Sequence, residues 1–328
     1  MTKTVAIIGA RQIGFAVWLA FKGAGHNCLV YARSEPGWLG DWKGEFRPYT
    51  AGEDPGPSAD VVIDSIAFDE EDITRYDPDK VGRLIVISSA SVYCDDQGRT
   101  LDEGPVNGYP HFPPFITEDQ PTVAPGPETY STRKVRMENK AIELFGDRAT
   151  ILRPCAIYGE WSRHPREWWF VKRILDGRTL VPLIYDGLSQ FQTTDACWLS
   201  DVAVAAAEQE LAQIFNVADK TTPTVSEIGH AIAAHMNAPL ELRQIAGAGE
   251  GFVGRTPWSL PHPMQIDGSR AAEAIGQPRP HYASRVEHAV QWLCDLNPDD
   301  WRTAFPLLAA YPWDLFDYEA EDRFLASQ

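Results

Sequence analysis

Val5-Ala-Ile-Ile-Gly-Ala-Arg-Gln-Ile-Gly14 begins with four apolar residues, turns at Gly9, and leads into Ile13 to Lys22, where apolar residues recur at helical spacing. A short continuous apolar run, a glycine turn and a helix make a βα unit. Glycines at such a turn let backbone N–H groups and the helix N-terminus approach an anion, above all a pyrophosphate. The spacing is that of G-x-G-x-x-G, with Arg11 in the place of the middle glycine. Gly9, Arg11, Gln12, Ile13 and Gly14 are therefore candidate cofactor-binding residues.

Working outward, Cys28-Leu-Val-Tyr-Ala32, Asp60-Val-Val-Ile63, Leu84-Ile-Val-Ile-Ser88 and Thr150-Ile-Leu152 repeat the apolar pattern. Continuous rather than alternating runs fit parallel strands covered on both faces. Helical stretches between several of them predict βαβ units and an α/β fold of Rossmann type, a doubly wound parallel sheet. After the second run, a folded dinucleotide site usually carries an acidic residue for the ribose 2′-hydroxyl of NAD. Here the sequence is Tyr31-Ala-Arg33-Ser34, so Arg33 and Ser34, with Arg11, favour the 2′-phosphate of NADP over NAD.

The 328 residues suffice for a large core, and 44% of them are hydrophobic, as in ordinary soluble proteins. A formal net charge of −17 argues against nucleic acid or an anionic membrane as partner. No apolar run is long enough to span a bilayer, and the N-terminus lacks the features of a signal peptide, so a cytoplasmic location is expected. The five cysteines are scattered and odd in number, which suggests neither disulfides nor a metal site, and each is expected to be a small buried residue. The Pro- and Gly-rich segment 95–127 reads as a long loop, either a lid or an ornament. Glu227 to Met236 and Arg285 to Leu293 read as helices and Leu240 to Ile245 as a strand. The aromatic tail from Pro298 is expected to pack on the body.

Glu128-Thr-Tyr-Ser-Thr-Arg-Lys134 places Tyr130 and Lys134 four apart, one turn on one helix face. A fixed positive charge lowers a phenol's pKa, so the pair suits proton transfer, with Ser89 able to hydrogen-bond a substrate oxygen. By itself the pair is a weak signal.

With these pieces in order, the chain resembles the extended short-chain dehydrogenase/reductase (NAD-dependent epimerase/dehydratase) family over about residues 3 to 293. The matching stretches are Gly9 to Gly14, Asp60-Val-Val-Ile-Asp-Ser-Ile-Ala67, Val86-Ile-Ser-Ser-Ala-Ser-Val-Tyr93, Tyr130 to Lys134, Ile151-Leu-Arg-Pro-Cys-Ala-Ile-Tyr-Gly159 and Trp198-Leu-Ser-Asp-Val-Ala203, with Ile214-Phe-Asn-Val217 and Ile266 to Ala271. The resemblance implies catalytic roles for Ser89, Tyr130 and Lys134. It implies cofactor contacts for Ser65, Ile66, Ala67, Ser88, Tyr130, Lys134 and the segment Pro154 to Ile157. Hydrogen bonding within the loop is the competing reading for Ser88 and Ser91.

The implied activity is hydride transfer between NAD(P) and a carbonyl or alcohol carbon, with Tyr130 as general acid/base and no metal. The implied organisation is a cofactor domain over 1–160, with 191–218 returning to it. A substrate lobe and tail would comprise 161–190 and 219–328. A homodimer formed through the helix of the Tyr–Lys pair is a further expectation, as in related enzymes.

Departures narrow this picture. Ala90-Ser91 stands where sugar-nucleotide dehydratases carry an acidic pair, so such a dehydratase is not expected. Thr194 and Ala196 stand where nucleotide-sugar enzymes often place an arginine and an aromatic residue. Arg163, Arg166, Arg173 and Arg255 are alternative anion ligands or surface charges, and Trp161, Trp168, Trp169 and Trp258 are pocket walls or core. Two rival readings stay open: a nucleotide-sugar epimerase using the same Ser–Tyr–Lys set, and a cofactor-sensing binding protein without turnover.

Overall fold

The computed structural model describes residues 1–327. In chain order its strands are β1 (Thr4–Ile8), β2 (Asn27–Ala32), β3 (Phe46–Pro48), β4 (Ala59–Asp64), β5 (Val81–Ile87), β6 (Ala149–Pro154), β7 (Ala156–Tyr158), β8 (Leu180–Leu183), β9 (Thr193–Asp195), β10 (Ile214–Val217) and β11 (Glu241–Gln244). The helices used below are α1 (Gln12–Gly23), α2 (Glu70–Thr74), α3 (Gly104–Asn107), α4 (Tyr130–Phe145), α5 (Trp168–Leu175), α6 (Ala196–Glu208) and α7 (Val225–His235).

Seven strands form one sheet in the order β10-β6-β5-β4-β1-β2-β3, and every pairing in it is parallel. The chain moves outward from β1 to β3, then crosses back to lay β4 beside β1. That reversal opens a crevice at the carboxyl ends of β1 and β4, where ligands bind in open α/β sheets. Val5, Ile7, Ile8, Val61, Val62 and Ile63 are at most 1% exposed, and burying each side chain contributes about 1.5–3 kcal/mol. Val17 and Phe21 of α1 and Leu199 and Val202 of α6 cover one face. Ile73 of α2 and Met137, Ala141 and Phe145 of α4 cover the other. The apolar runs are continuous because both faces are buried.

Strand β3 was not legible as a strand. It is a three-residue edge, Phe46-Arg-Pro48, whose proline lacks the N–H a further strand would need. Strand β10 pairs with β6, Ile214 opposite Ile151 and Val217 opposite Pro154.

A second core gathers Trp168, Trp169 and Phe170 of α5, Ile228 of α7, and Trp258 and Leu293. Trp168, Trp169 and Trp258 are therefore core residues and not pocket walls. Strands β8 and β11 pair in parallel at its edge. The tail joins this core through Trp301, Phe305, Leu308 and Leu315. Arg173 of α5 lies 3.5 Å above the Trp169 ring and forms an ion pair with Glu321 in the C-terminal helix Tyr318–Ala326, both side chains being buried. Arg173 is thus a structural cation rather than a surface charge, and Arg255 packs over Trp313 at 4.8 Å. All five cysteines are free; Cys28 and Cys94 are buried, while Cys155, Cys197 and Cys294 are only half-buried. Among the described residues no helix is long and apolar enough to cross a membrane.

Candidate active site

The loop from Gly9 to Gly14 joins β1 to α1 at the crevice. Gly9 has φ +99°, and a Cβ there would lie 2.4 Å from Ser65 Oγ. A Cβ on Gly14 would lie 2.0 Å from the Gly9 carbonyl oxygen, so neither position accepts a side chain. Ser65 Oγ donates to the Ile8 carbonyl at 2.7 Å, closing β4 against β1. Two clefts meet at this loop and at the adjoining residues Ser65 and Ile66.

The outer cleft, about 500 Å³, is bordered by Gly9, Arg11, Arg33, Ser34, Trp161 and Arg163. The structure thus gathers the three residues selected for a 2′-phosphate and adds Arg163. None of these arginines has an ion-pair partner among the described residues. Of the four tryptophans considered as pocket walls, Trp161 alone borders it.

The inner cleft, about 390 Å³, contains Ser89, Tyr130 and Lys134, together with Gln12, Ile13 and Pro154. Ile157 also lines it, and Gln12 Nε2 reaches the Gly159 carbonyl at 3.3 Å. Helix α4 positions the pair. Thr129 caps it with a reciprocal box, accepting from the Thr132 N–H at 3.2 Å while Thr132 Oγ1 accepts from the Thr129 N–H at 2.9 Å. Such a cap contributes about 0.5–2 kcal/mol. Ser131, Lys134, Val135 and Glu138 face inward, and Tyr130, 41% exposed, rests on Phe68 with ring centroids 5.5 Å apart. Ser89 follows β5 by two residues and caps the turn Ala90–Val92, its hydroxyl accepting from the Ser91 N–H at 3.1 Å.

Lys134 is buried. Its ammonium donates to the carbonyls of Ala67 at 2.7 Å and Ile87 at 3.0 Å, and burial lowers its pKa to about 8 against the pull of Asp64, Glu138 and Asp72. The expected electrostatics are corrected at this point. The Tyr130 phenol is not lowered but raised to about 12, first by crowding of its hydroxyl end and then by Asp102, with Ser89 opposing. The Lys134 ammonium, 5.7 Å from the Tyr130 ring centre, is anchored to backbone carbonyls instead of to the phenol.

Ala67 and Ser88 sit differently in the site: Ser88 lines the inner cleft, whereas Ala67 does not. Ala67 is 1% exposed and borders neither cleft; its contribution is the carbonyl that holds Lys134. The Ser88 hydroxyl donates to Glu138, which Arg153 binds through two nitrogens, so Ser88 belongs to a buried network with Arg153, Tyr93 and Asn216. Ile66, by contrast, is 45% exposed and borders the outer cleft, an apolar surface suited to a bound cofactor.

Sequence reasoning missed Asp102 and the inner cleft's far end. The segment 95–127 contains the short helix α3 and brings Leu101 and Asp102 to the inner cleft, so part of the loop is functional wall. Asp102 accepts from Ser131 Oγ at 3.2 Å, and crowding by protein raises its pKa. His164, Phe191 and Met264 line the same cleft, as does Arg166, one of the four arginines considered as anion ligands. No local motif marks these residues, which the fold assembles from distant segments.

The glycine cradle, the open arginines and the exposed Ile66 fit a dinucleotide. Gly9, Arg11, Arg33, Ser34 and Arg163 would hold its adenosine end, and Gln12, Ser65, Tyr130, Lys134 and Ile157 the nicotinamide end.

No protein-family model matches the sequence, and no curated protein matches it. Solved structures do. A dTDP-glucose 4,6-dehydratase from Bacillus anthracis, in complex with NAD, aligns over 92% of this chain and 99% of its own with a TM-score of 0.64 at 14% identity. A UDP-glucose 4-epimerase aligns over 90% and 98% with a TM-score of 0.67 at 14% identity. A UDP-glucuronic acid 4-epimerase from Bacillus cereus, in complex with UDP-glucuronic acid and NAD, aligns over 89% and 99% with a TM-score of 0.63 at 15% identity. Likeness at this identity is likeness of fold: the chain shares the fold of these dehydratase and epimerase structures, built here on a seven-stranded parallel sheet flanked by helices.

Proposed function

We propose that the protein is an NAD(P)-dependent oxidoreductase acting on a carbonyl or alcohol carbon, with NADP(H) preferred. The observation that carries this reading is the convergence of Ser89, Tyr130 and Lys134 on one cleft that adjoins the Gly9–Gly14 cradle. A bound nicotinamide supplies or takes up the hydride. Ser89 hydrogen-bonds and orients the substrate oxygen. Tyr130 holds the proton at its phenol oxygen, and a phenol at about 12 is fully protonated near neutrality, the form that donates to a carbonyl. The protonated phenol is the starting form for reduction, in which Tyr130 hands its proton to the carbonyl oxygen as hydride arrives. Lys134 keeps a positive charge under the site, fixed by two carbonyls.

Tyr130→Phe tests the proposal. Positioned general-acid catalysis is worth about 10²–10⁴-fold in rate, so a screen of carbonyl compounds following NADPH absorbance should show kcat reduced by that order. Undiminished turnover would reject the mechanism.

The epimerase reading keeps support from the UDP-sugar epimerases among the matched structures. An epimerase recycles its cofactor, whereas a reductase consumes it stoichiometrically with product. The homodimer through α4 also stays a proposal. Arg136 and Lys140 on that helix already pair with Asp69, Glu70 and Glu143 of the same chain.

A further inference from the structure

The inner cleft holds one guanidinium that no carboxylate neutralises through a direct ion pair among the described residues. Arg166 borders the cleft with Tyr130 and Ser89. Among the described residues no carboxylate pairs with it, in contrast to the buried arginines Arg153 and Arg173, which Glu138 and Glu321 neutralise. Its Nε is buried without an acceptor. Its guanidinium lies 5.5 Å from the Phe191 ring centre. Tyr311, from the tail, is also close to it, and Arg166 lowers that phenol's pKa against the effect of burial, through its charge and a side-chain hydrogen bond. His164 adds no charge, because burial and Arg166 both hold its pKa far below the usual imidazole range; it hydrogen-bonds Tyr311 at 3.2 Å. The surrounding walls, Leu101, Phe191, Met264 and Leu307, are apolar.

Leaving a partly buried guanidinium unpaired is costly unless a ligand completes it. A planar fork of donors matches a carboxylate bidentately. The charge count selects among anions. Asp102 stands on the same cleft and is close enough for Arg166 to lower its pKa. A single guanidinium matches the one charge of a carboxylate, whereas a diphosphate would bring further negative charge to it beside Asp102, whose ionisation burial already disfavours.

We infer that the substrate carries a carboxylate, seated on Arg166, and an apolar body against Phe191 and Met264. The substrate class is then an oxo acid or the corresponding hydroxy acid, with the reacting oxygen at Ser89 and Tyr130. This deepens the oxidoreductase reading and rests on it for the identity of the reacting carbon, whereas carboxylate recognition does not depend on turnover.

The test is therefore binding. Wild-type protein saturated with NADP⁺ is titrated calorimetrically with 4-methylpentanoate and with the isosteric 4-methylpentanamide. A charge-assisted bidentate contact predicts about 10- to 100-fold tighter binding of the acid. Arg166→Met should abolish that discrimination while leaving NADP⁺ affinity unchanged, and Arg166→Lys should restore part of it. Equal affinities for acid and amide in the wild type would overturn the inference, as would discrimination that survives in Arg166→Met. Discrimination by Arg166 in a protein whose Tyr130→Phe variant loses no redox activity would refute the catalytic reading and uphold the carboxylate site.

Discussion

Lys134→Met separates the electrostatic cost of the site from its chemistry. Burial lowers the lysine from 10.5 to about 8, and about 2.5 pKa units at 1.36 kcal/mol each amount to roughly 3 kcal/mol against the charged form in the folded state. The folded pKa lies below the unfolded one, so between the two values the unfolded chain binds the extra proton. Unfolding free energy therefore rises with pH through this window. The penalty is fully present below about 8 and relieved above 10.5. Methionine does not titrate. The stability difference, wild type minus variant, should accordingly climb by about 3 kcal/mol from about pH 7 to about pH 11.

At neutral pH the variant is released from that penalty but leaves the Ala67 and Ile87 carbonyls without their donor, at about 1–3 kcal/mol each. These effects nearly offset, so the variant should fold with a urea midpoint close to wild type and lack redox activity. Urea unfolding followed by tryptophan fluorescence across the pH range measures the difference. Other titrating groups are common to both proteins and cancel if they do not couple to position 134. A difference flat with pH would refute the account of a buried, depressed ammonium.

Two further outcomes follow from other parts of the molecule. Arg33→Ala should raise the Michaelis constant for NADPH by about tenfold or more and leave that for NADH unchanged, since a charge-assisted contact to the 2′-phosphate is lost; a parallel change for both cofactors would mean that Arg33 does not face that phosphate. Glu321→Ala should cost about 3–5 kcal/mol in denaturant unfolding by stranding Arg173 as an uncompensated buried charge. The pair Arg173→Met with Glu321→Leu should cost much less, and equal losses would show that packing, not charge, dominates there.

The parts of this protein visible in its sequence are those set by local periodicity. Val5–Ile8, Asp60–Ile63 and Leu84–Ile87 announce buried strands because each residue faces a covered layer. Tyr130 and Lys134 share a helix face because a turn holds 3.6 residues. Gly9 and Gly14 are legible because their backbones leave no room for a Cβ. What stayed hidden depends on distance along the chain. Asp102 and Leu307 reach one cleft from separate segments, and Arg166, which the sequence offered only as one of four alternative anion ligands, joins them there. The sign of the Tyr130 shift could not be read from Lys134 alone, because Asp102 and the crowding around the hydroxyl decide it. Arg173 looked like a surface charge because its partner, Glu321, is 148 residues away.

The inner cleft has a floor and walls of different origin. Its floor, at Ser89, Tyr130 and Lys134, hangs from β5 and α4 and moves only if the sheet does. Besides Phe191 and Met264, its other walls come from the 95–127 loop, the 161–166 segment and the tail near Leu307, none of which contributes a strand to the sheet. Substitutions or length changes in those three segments can therefore remodel what is bound while the proton-handling residues keep their places. The same division makes the position of Leu307 in the tail a place where substitution would alter substrate choice before it altered cofactor binding.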